Sequence, residues 1–232
     1  MNELTKLYKH MCVKEFDKLG FKNYKNNFYR VVNDVFQSFG LHNSVSGDSC
    51  TVEFGVFPLC CGNIIKKEHT GANHLKVFEN NYSWFKYDRS SMKCIEKTVN
   101  LIIKYIKKYL IPFFENANNS RDAYFEICNF QKKYQNEILM SDHVLFYCAL
   151  KSGMYNLAIE HLKAQKAHTL LAYNRNIQCF EMGVEYENKI KTKLHYIENC
   201  IAIIERSDFE CIEKMISENE SCALVNLAGK HF

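Results

Sequence analysis

The sequence has no run of apolar residues near the ~18 that a membrane-spanning helix requires. Its first six residues also lack the apolar segment of a secretory signal. Glycine occurs nine times without a phosphate-binding pattern, and no two cysteines have the Cys-x-x-Cys spacing typical of zinc sites. These absences predict a cytoplasmic protein without a membrane span, and they leave no signature of a known enzyme class.

The charge balance is nearly even, because 30 basic and 26 acidic residues give a formal net charge of +4. A protein that mainly binds phosphate backbones usually has a denser basic surface, so nucleic acid is not the predicted partner. Apolar residues make up 47% of the chain, which is enough for a core and excludes general disorder. The eleven cysteines are interpreted as buried thiols of a reducing compartment.

The first half of the sequence predicts a helix followed by a small antiparallel sheet. Residues 3–18 repeat apolar side chains at helical spacing, and Gly20 follows as a typical helix end. Three segments rich in β-branched and aromatic residues predict strands, with a fourth candidate later: residues 28–32, 35–41, 51–57 and 84–87. The prediction is a sheet of three or four antiparallel strands with partial cover on both faces.

The register of the first two strands follows from the two residues that separate them. A two-residue turn places Arg30 opposite Gln37 and Phe28 opposite Phe39. Because side chains alternate along a strand, all four then lie on one face of the sheet.

The second half of the sequence predicts helices alone. Residues 92–110 have the clearest helical periodicity, and Pro112 just beyond them is a usual place for a helix to stop. Further helical patterns occupy residues 121–135, 142–151, 155–165, 169–205, 208–217 and 221–228. The predicted fold is therefore α+β with flanking helices over residues 1–115, followed by a separate all-α helical-hairpin domain over residues 120–232.

Part of the helical region is weakly repetitive. Residues 150–158 match residues 204–212 in the placement of apolar side chains, and Leu162 matches Ile216. The first copy resembles the helix–turn–helix of tetratricopeptide repeats. Because such arrays usually need about three units, we interpret the two copies as a pair of ordinary helical hairpins.

Several short motifs in the first half resemble one protein family. Leu-Gly-Phe-Lys at residues 19–22, Phe-Tyr-Arg at 28–30 and Phe-Gly-Val-Phe at 54–57 are followed by Trp84 and by Leu-Ile-Pro-Phe at 110–113. In these motifs residues 1–115 resemble bacterial proteins that carry the domain of unknown function 4304. The resemblance implies no activity, because that family has no established one and no catalytic signature.

One segment contains a candidate set of metal ligands. Cys60, Cys61, His69 and His74 supply the thiolate and imidazole groups that Zn²⁺ prefers. Adjacent cysteines are poorly placed to bind one ion together, so the favoured prediction is no metal and no other cofactor.

Two alternative function classes stay open. A nucleophilic enzyme needs a Cys or Ser beside a base, and many such residues occur here without a recognisable motif. Binding of single-stranded nucleic acid has support from the sheet aromatics and from a row of lysines along the helix over residues 92–110: Lys93, Lys97, Lys104, Lys107 and Lys108. Such rows are usually the solvated face of an amphipathic helix.

The favoured interpretation is a non-catalytic protein-interaction module of the bacterial cytoplasm, such as a regulatory or toxin-neutralising partner. Its partner is expected to be a protein, and its oligomeric state stays open. The candidate contact residues are side chains expected to be accessible on or near the sheet: Arg30, Gln37, His42, Glu53 and Trp84. The concave face of the helical hairpins and a sheet edge are the candidate docking surfaces.

Overall fold

The structure, a computed structural model, describes residues 2–67, 73–80, 83–134, 142–179 and 184–229. Within these residues the strands are β1 (Lys22–Tyr24), β2 (Asn27–Val32), β3 (Val35–Asn43), β4 (Ser49–Pro58), β5 (Asn73–His74) and β6 (Phe85–Lys86). The α-helices are α1 (Glu3–Phe16), α2 (Met92–Tyr105), α3 (Ile111–Asn116), α4 (Ser120–Lys133), α5 (Asp142–Lys151), α6 (Tyr155–Cys179), α7 (Val184–Glu205) and α8 (Phe209–Ala228).

The sheet is antiparallel, as predicted, but it has six strands instead of three or four. Its order is β1-β2-β3-β4-β5, and β6 also pairs with β4. The sequence pattern misses β1 and β5 because strands of three and two residues are too short to show alternation. The candidate strand near residue 84 is present as β6.

Strands β2 and β3 pair in the predicted register. Arg30 lies opposite Gln37, and Phe28 lies opposite Phe39. In the two-residue turn between the strands, Asn33 takes a left-handed conformation with φ 51°, which asparagine tolerates better than most residues.

The central strand β3 is covered more completely than predicted, because seven consecutive residues from Val35 are buried. On one face α1 packs Tyr8 against Phe28 and Phe16 against Phe39, with ring centroids 5.9 and 5.6 Å apart. Apolar and polar side chains occur on both faces of this strand, so its pattern could not show which face the helices cover.

The helix after β6 continues through the proline that was predicted to stop it. Helix α2 ends at Tyr105, a π-helical segment spans Ile106–Leu110, and α3 begins at Ile111. Pro112 lies in the first turn of α3, where the missing N–H costs little. The proline therefore lies in the first turn of α3 within a continuous helical run and does not end that run.

The C-terminal helices also differ in length from their predicted segments. The segment 169–205 divides between α6 and α7, and residues 180–183 lie outside the described residues. The two segments near residues 208–217 and 221–228 form one continuous helix, α8.

The C-terminal helices pack back onto the end of the sheet. Helix α8 lies against the 3-10 turn Leu59–Ile64 that follows β4, and the Cys222 thiol donates to Asn63 Oδ1 (2.8 Å). The Ser120 N–H, at the start of α4, donates to Asp34 Oδ1 (3.2 Å) in the β2–β3 turn. One hydrophobic cluster runs from Leu4 to Ala223, while the predicted division into two domains stays a prediction.

Candidate interaction site

Arg30 and Gln37, two of the predicted contact residues, are joined to each other inside the fold. Arg30 Nε donates to Gln37 Oε1 (2.7 Å), and Arg30 Nη1 donates to the Leu19 carbonyl (2.9 Å). Gln37 Nε2 donates to the carbonyls of Phe114 (2.7 Å) and Ala117 (2.9 Å). Gln37 is fully buried, so its predicted exposure is wrong. The two side chains satisfy carbonyls at the ends of helical segments and belong to the scaffold.

The other three candidates meet on the opposite face of the sheet. His42 Nδ1 and His74 Nε2 each lie 3.9 Å from Glu53 Oε1. The Trp84 ring meets both imidazoles edge-on, at centroid distances of 6.0 Å to His42 and 6.2 Å to His74. Sheet pairing sets this arrangement, because Glu53 lies opposite His74 across β4 and β5. Two imidazoles, a carboxylate and an indole thus form one partly exposed polar patch that can donate and accept hydrogen bonds.

The predicted zinc ligands are not gathered in one place. Cys60 and Cys61 lie in the turn after β4, whereas His74 lies opposite Glu53. Glu53 precedes Cys60 by seven residues, which in an extended strand corresponds to about 20 Å. His69 lies outside the described residues. Among the residues that the structure describes, no group of three or more His, Cys, Asp or Glu is placed to hold a metal ion.

Six of the ten described cysteines are buried, as predicted, whereas Cys94, Cys128 and Cys222 are partly exposed and Cys211 is exposed. The Cys60 thiol donates to the Tyr147 carbonyl (3.6 Å). Burial raises the pKa of the Cys60 and Cys61 thiols well above the usual range. Such thiols stay protonated at neutral pH and are poor nucleophiles.

One polar cluster was not predicted from the sequence. The two carboxylate oxygens of Asp142 lie 3.2 Å from His161 Nδ1 and 3.2 Å from His168 Nδ1. His161 Nε2 lies 3.1 Å from the Tyr124 hydroxyl. An Asp–His–Tyr order could serve as a proton relay, but burial raises the pKa of Tyr124 to about 12 and also raises that of the neighbouring Cys128 thiol. The cluster ties α4, α5 and α6 together.

The last two lysines of the row, Lys107 and Lys108 in the π-helical segment, have acidic and aromatic partners. Lys107 forms an ion pair with Glu15, and Lys108 Nζ donates to the Tyr109 hydroxyl (2.5 Å). Hydrogen bonds from the Tyr105 hydroxyl and from the Tyr109 hydroxyl (2.7 Å) lower the pKa of Glu79. At its C-terminal end the row is therefore flanked by the carboxylates of Glu15 and Glu79.

A small cavity of about 310 Å³ lies beside this row, between α3 and α4. Aromatic rings line it, but they pack on each other: Phe78 stacks on Tyr109 at 5.6 Å, and Phe130 lies 4.9 Å from Tyr134. Rings whose faces are occupied in this way offer little area for stacking on a nucleic-acid base.

The two C-terminal hairpins turn in the same way. Gly153 N–H donates to the carbonyl three residues back (3.1 Å), and the next N–H donates to the carbonyl five residues back (2.9 Å). Ser207 and the residue after it form the same two bonds, at 2.9 and 3.1 Å. Both turn residues have positive φ, 71° at Gly153 and 54° at Ser207, as helix-ending turns of this type require. The weak sequence repeat therefore corresponds to two equivalent helical hairpins, as predicted.

A cavity of about 410 Å³ opens where these two hairpins meet. Tyr155 and Phe209, the first residues of α6 and α8, lie 5.6 Å apart there, and 51% of Phe209 is exposed. The remaining apolar walls are Leu150, Ile212 and Ile216. Glu213 lines the same cavity, and Lys151 Nζ pairs with Glu220 Oε1 (2.7 Å) beside it.

Comparison with known proteins identifies the first half of the chain. Residues 12–116 match the model of one family, described as Domain of unknown function (DUF4304). This part of the chain is a DUF4304 domain. No curated protein and no solved structure matches the chain.

The DUF4304 domain and the hairpin cavity are different parts of the chain. The domain contains all six strands, α2, α3 and the five predicted contact residues. The cavity is built from helices that follow the DUF4304 domain. In the described ranges no helix combines the length and apolar character needed to cross a membrane.

Proposed function

We propose that this protein is a non-catalytic interaction module that binds a segment of another protein in the cavity between its two helical hairpins. The observation that carries the proposal is the open apolar cavity whose mouth holds the half-exposed ring of Phe209. Paired helical hairpins commonly bind protein segments on the concave surface that they share.

The cavity favours an apolar anchor. Its volume of about 410 Å³ lies at the low end of ligand pockets and suits one or two large side chains. Aromatic and aliphatic walls gain free energy when such a side chain displaces water from them. An anchor of the Leu, Met or Phe type is therefore the expected central contact.

The rim of the cavity favours a basic neighbour for that anchor. Residues 208–220 contain five acidic residues and one lysine, although the whole chain carries a net charge of +4. Glu213 is exposed at the cavity, and Glu220 is paired with Lys151. Complementary charge of this kind mainly sets specificity and association rate, so we expect Lys or Arg next to the anchor.

The proposed protein binds a partner without catalysing a reaction, and two observations support this part of the proposal. The buried thiols and Tyr124 have raised pKa values, and the described histidines do not contact an exposed nucleophile in the cavity. The ten described cysteines are unpaired, which suits the reducing bacterial cytoplasm that we propose as the setting. A regulatory or toxin-neutralising partner needs binding of this kind and no reaction.

The test is selection of a randomised peptide library on the purified full chain. Wild type, Phe209→Ala and Phe125→Ala serve as baits, since 47% of Phe125 is exposed on α4, away from the cavity. We expect enriched peptides with an apolar residue next to Lys or Arg. Their affinity, measured by calorimetry, should fall about tenfold or more with Phe209→Ala and stay unchanged with Phe125→Ala.

The proposal is overturned if no peptide is enriched on wild type, or if the enriched peptides bind Phe209→Ala as tightly as wild type. Circular dichroism of each bait confirms that the exposed substitutions leave the helices intact.

A further inference from the structure

The C-terminal part of α6 (residues 170–179) and the N-terminal part of α7 (residues 184–194) lie side by side, and we call this pair of segments the arm. Tyr173 and Tyr186 stack between the helices at 6.5 Å, and Asn176 Nδ2 donates to the Tyr186 hydroxyl (2.9 Å). These contacts fill the seam between the two helices. Four large aliphatic side chains on the arm remain exposed: Leu170 by 37%, Leu171 by 51%, Ile177 by 48% and Val184 by 74%.

Three of these aliphatic residues, Leu170, Ile177 and Val184, share one side of the arm with two charged residues. On α6, Leu170 and Ile177 are seven residues apart, which places them on one stripe. On α7, a second stripe has the three–four–three spacing of a heptad, formed by Val184, Glu187, Lys191 and Leu194.

An ion pair between the helices shows that the two stripes adjoin. Lys166 Nζ lies 2.7 Å from Glu198 Oε1. Leu170 comes four residues after Lys166, so the α6 stripe lies on the same helix face as Lys166. Leu194 comes four residues before Glu198, so the α7 stripe lies on the same helix face as Glu198. We name this surface the arm face and define it by Leu170, Ile177, Val184, Glu187, Lys191 and Leu194.

The arm face is self-complementary, because its residues on α7 are arranged symmetrically about the middle of the face. Around position 189, Glu187 mirrors Lys191 and Val184 mirrors Leu194. On α6, Leu170 mirrors Ile177 around positions 173–174, and Tyr173 lies beside Tyr186, within about one helical turn of position 189. A single twofold axis can therefore relate both helices of one copy to both helices of a second copy.

We propose that the arm face binds a second copy of this chain, antiparallel, as a four-helix bundle. Glu187 then faces Lys191 of the second copy, and Val184 faces Leu194 of the second copy. A twofold interface requires this mirrored pattern, because each residue must find its complement on an identical surface. An unrelated partner would require no such symmetry, so the mirrored charges favour self-association.

The experiment is sedimentation equilibrium of the full chain in low salt, with charge reversals. We expect wild type to dimerise, and we expect Glu187→Lys and Lys191→Glu each to weaken the dimer about tenfold or more. A one-to-one mixture of these two variants should dimerise again, because every reversed charge then faces its opposite. The double variant E187K/K191E should also regain the dimer.

The matched control is Glu185→Lys. Glu185 pairs with Lys189 within α7 (2.7 Å), so its reversal removes an intrahelical ion pair without changing the arm face. We expect this control to dimerise like wild type. A wild type that stays monomeric at all concentrations, a mixture that stays monomeric, or a control as weak as Glu187→Lys would each overturn the proposal.

Discussion

The sheet and the arm differ in how much of each element they bury. Strand β3 buries seven consecutive residues, on both of its faces. Helix α6 is 25 residues long, yet the buried side chains described in it are four, all before residue 170: Ala158, Leu162, Gln165 and Thr169. Burial of apolar area is the main favourable contribution to folding, so stability is concentrated around the sheet and the arm is left to present a surface.

The same contrast holds for the polar side chains. Gln37 in the sheet is fully buried and donates its amide N–H groups to carbonyls of the chain. In the arm, Glu185 and Lys189 pair with each other while 84% and 71% of their side chains stay exposed. Buried polar groups must be satisfied within the fold, whereas exposed ones remain available to a partner.

The largest expected effect separates the two regions by stability. Phe54 is fully buried in β4, and its ring contacts Phe78, Phe113 and Phe130 at centroid distances of 5.3, 5.6 and 5.9 Å. We expect Phe54→Ala to lower the free energy of unfolding by about 4 kcal/mol, since it leaves a cavity in the core. Leu171→Ala in the arm, where 51% of the side chain is exposed, should change it by about 0.5 kcal/mol or less. Urea denaturation measures both, and equal losses would contradict the comparison.

A smaller effect is expected at the two equivalent hairpin turns. Gly153 has φ 71°, and a Cβ built there would meet no atom within 4 Å, so Gly153→Ser tests the backbone conformation alone. We expect it to cost about 1 kcal/mol of unfolding free energy. Ser207 has φ 54° in the matching position, so Ser207→Gly should stabilise the chain by a few tenths of a kcal/mol. Thermal denaturation would refute the equivalence of the turns if both exchanges had the same sign.

The smallest expected effect is a change of stability with pH that arises from His143 in α5. Burial, and secondarily Lys193, lowers the pKa of His143 from its usual 6.5, while a hydrogen bond that the imidazole donates to the Gln165 side chain opposes the shift. The unfolded chain therefore binds a proton at a higher pH than the folded chain does. This contribution to stability is complete above pH 6.5 and is lost as pH falls from 6.5 toward the lowered folded pKa.

The measurement compares urea denaturation at pH 7.5 and pH 5.5. We expect His143→Gln to lose less stability than wild type between these two values. The exposed His10 gives the control His10→Gln, which should follow wild type. A wild type and a His143→Gln variant with parallel pH profiles would rule out this assignment.

Local chemistry was enough to predict the sheet register. A two-residue turn leaves one way to pair β2 with β3, so the spacing of Arg30 and Gln37 along the chain was sufficient to place them opposite each other. The DUF4304 resemblance was also visible, because its motifs are short and continuous in sequence. The helical repeat was visible for the same reason, since each turn is a local arrangement of hydrogen bonds.

Burial of polar residues could not be predicted in the same way. The carbonyls that bind Gln37 belong to Phe114 and Ala117, some 80 residues away, and α3 must pack on the sheet before they come near. The patch of His42, Glu53, His74 and Trp84 likewise needs β5 beside β4, and β5 is only two residues long. The prediction for Pro112 was wrong because its position in the pattern fits both the end of one helix and the start of the next.

The sequence by itself determined the class of the fold, the register of its central hairpin, the DUF4304 domain and the pair of helical hairpins. Each of these depends on neighbours within a few residues, where spacing and backbone preference act directly. Tertiary structure alone decided that Gln37 is buried, that the hairpins enclose a cavity, and that the two stripes of the arm adjoin. Those outcomes depend on contacts between distant segments, which a one-dimensional pattern of side chains does not contain.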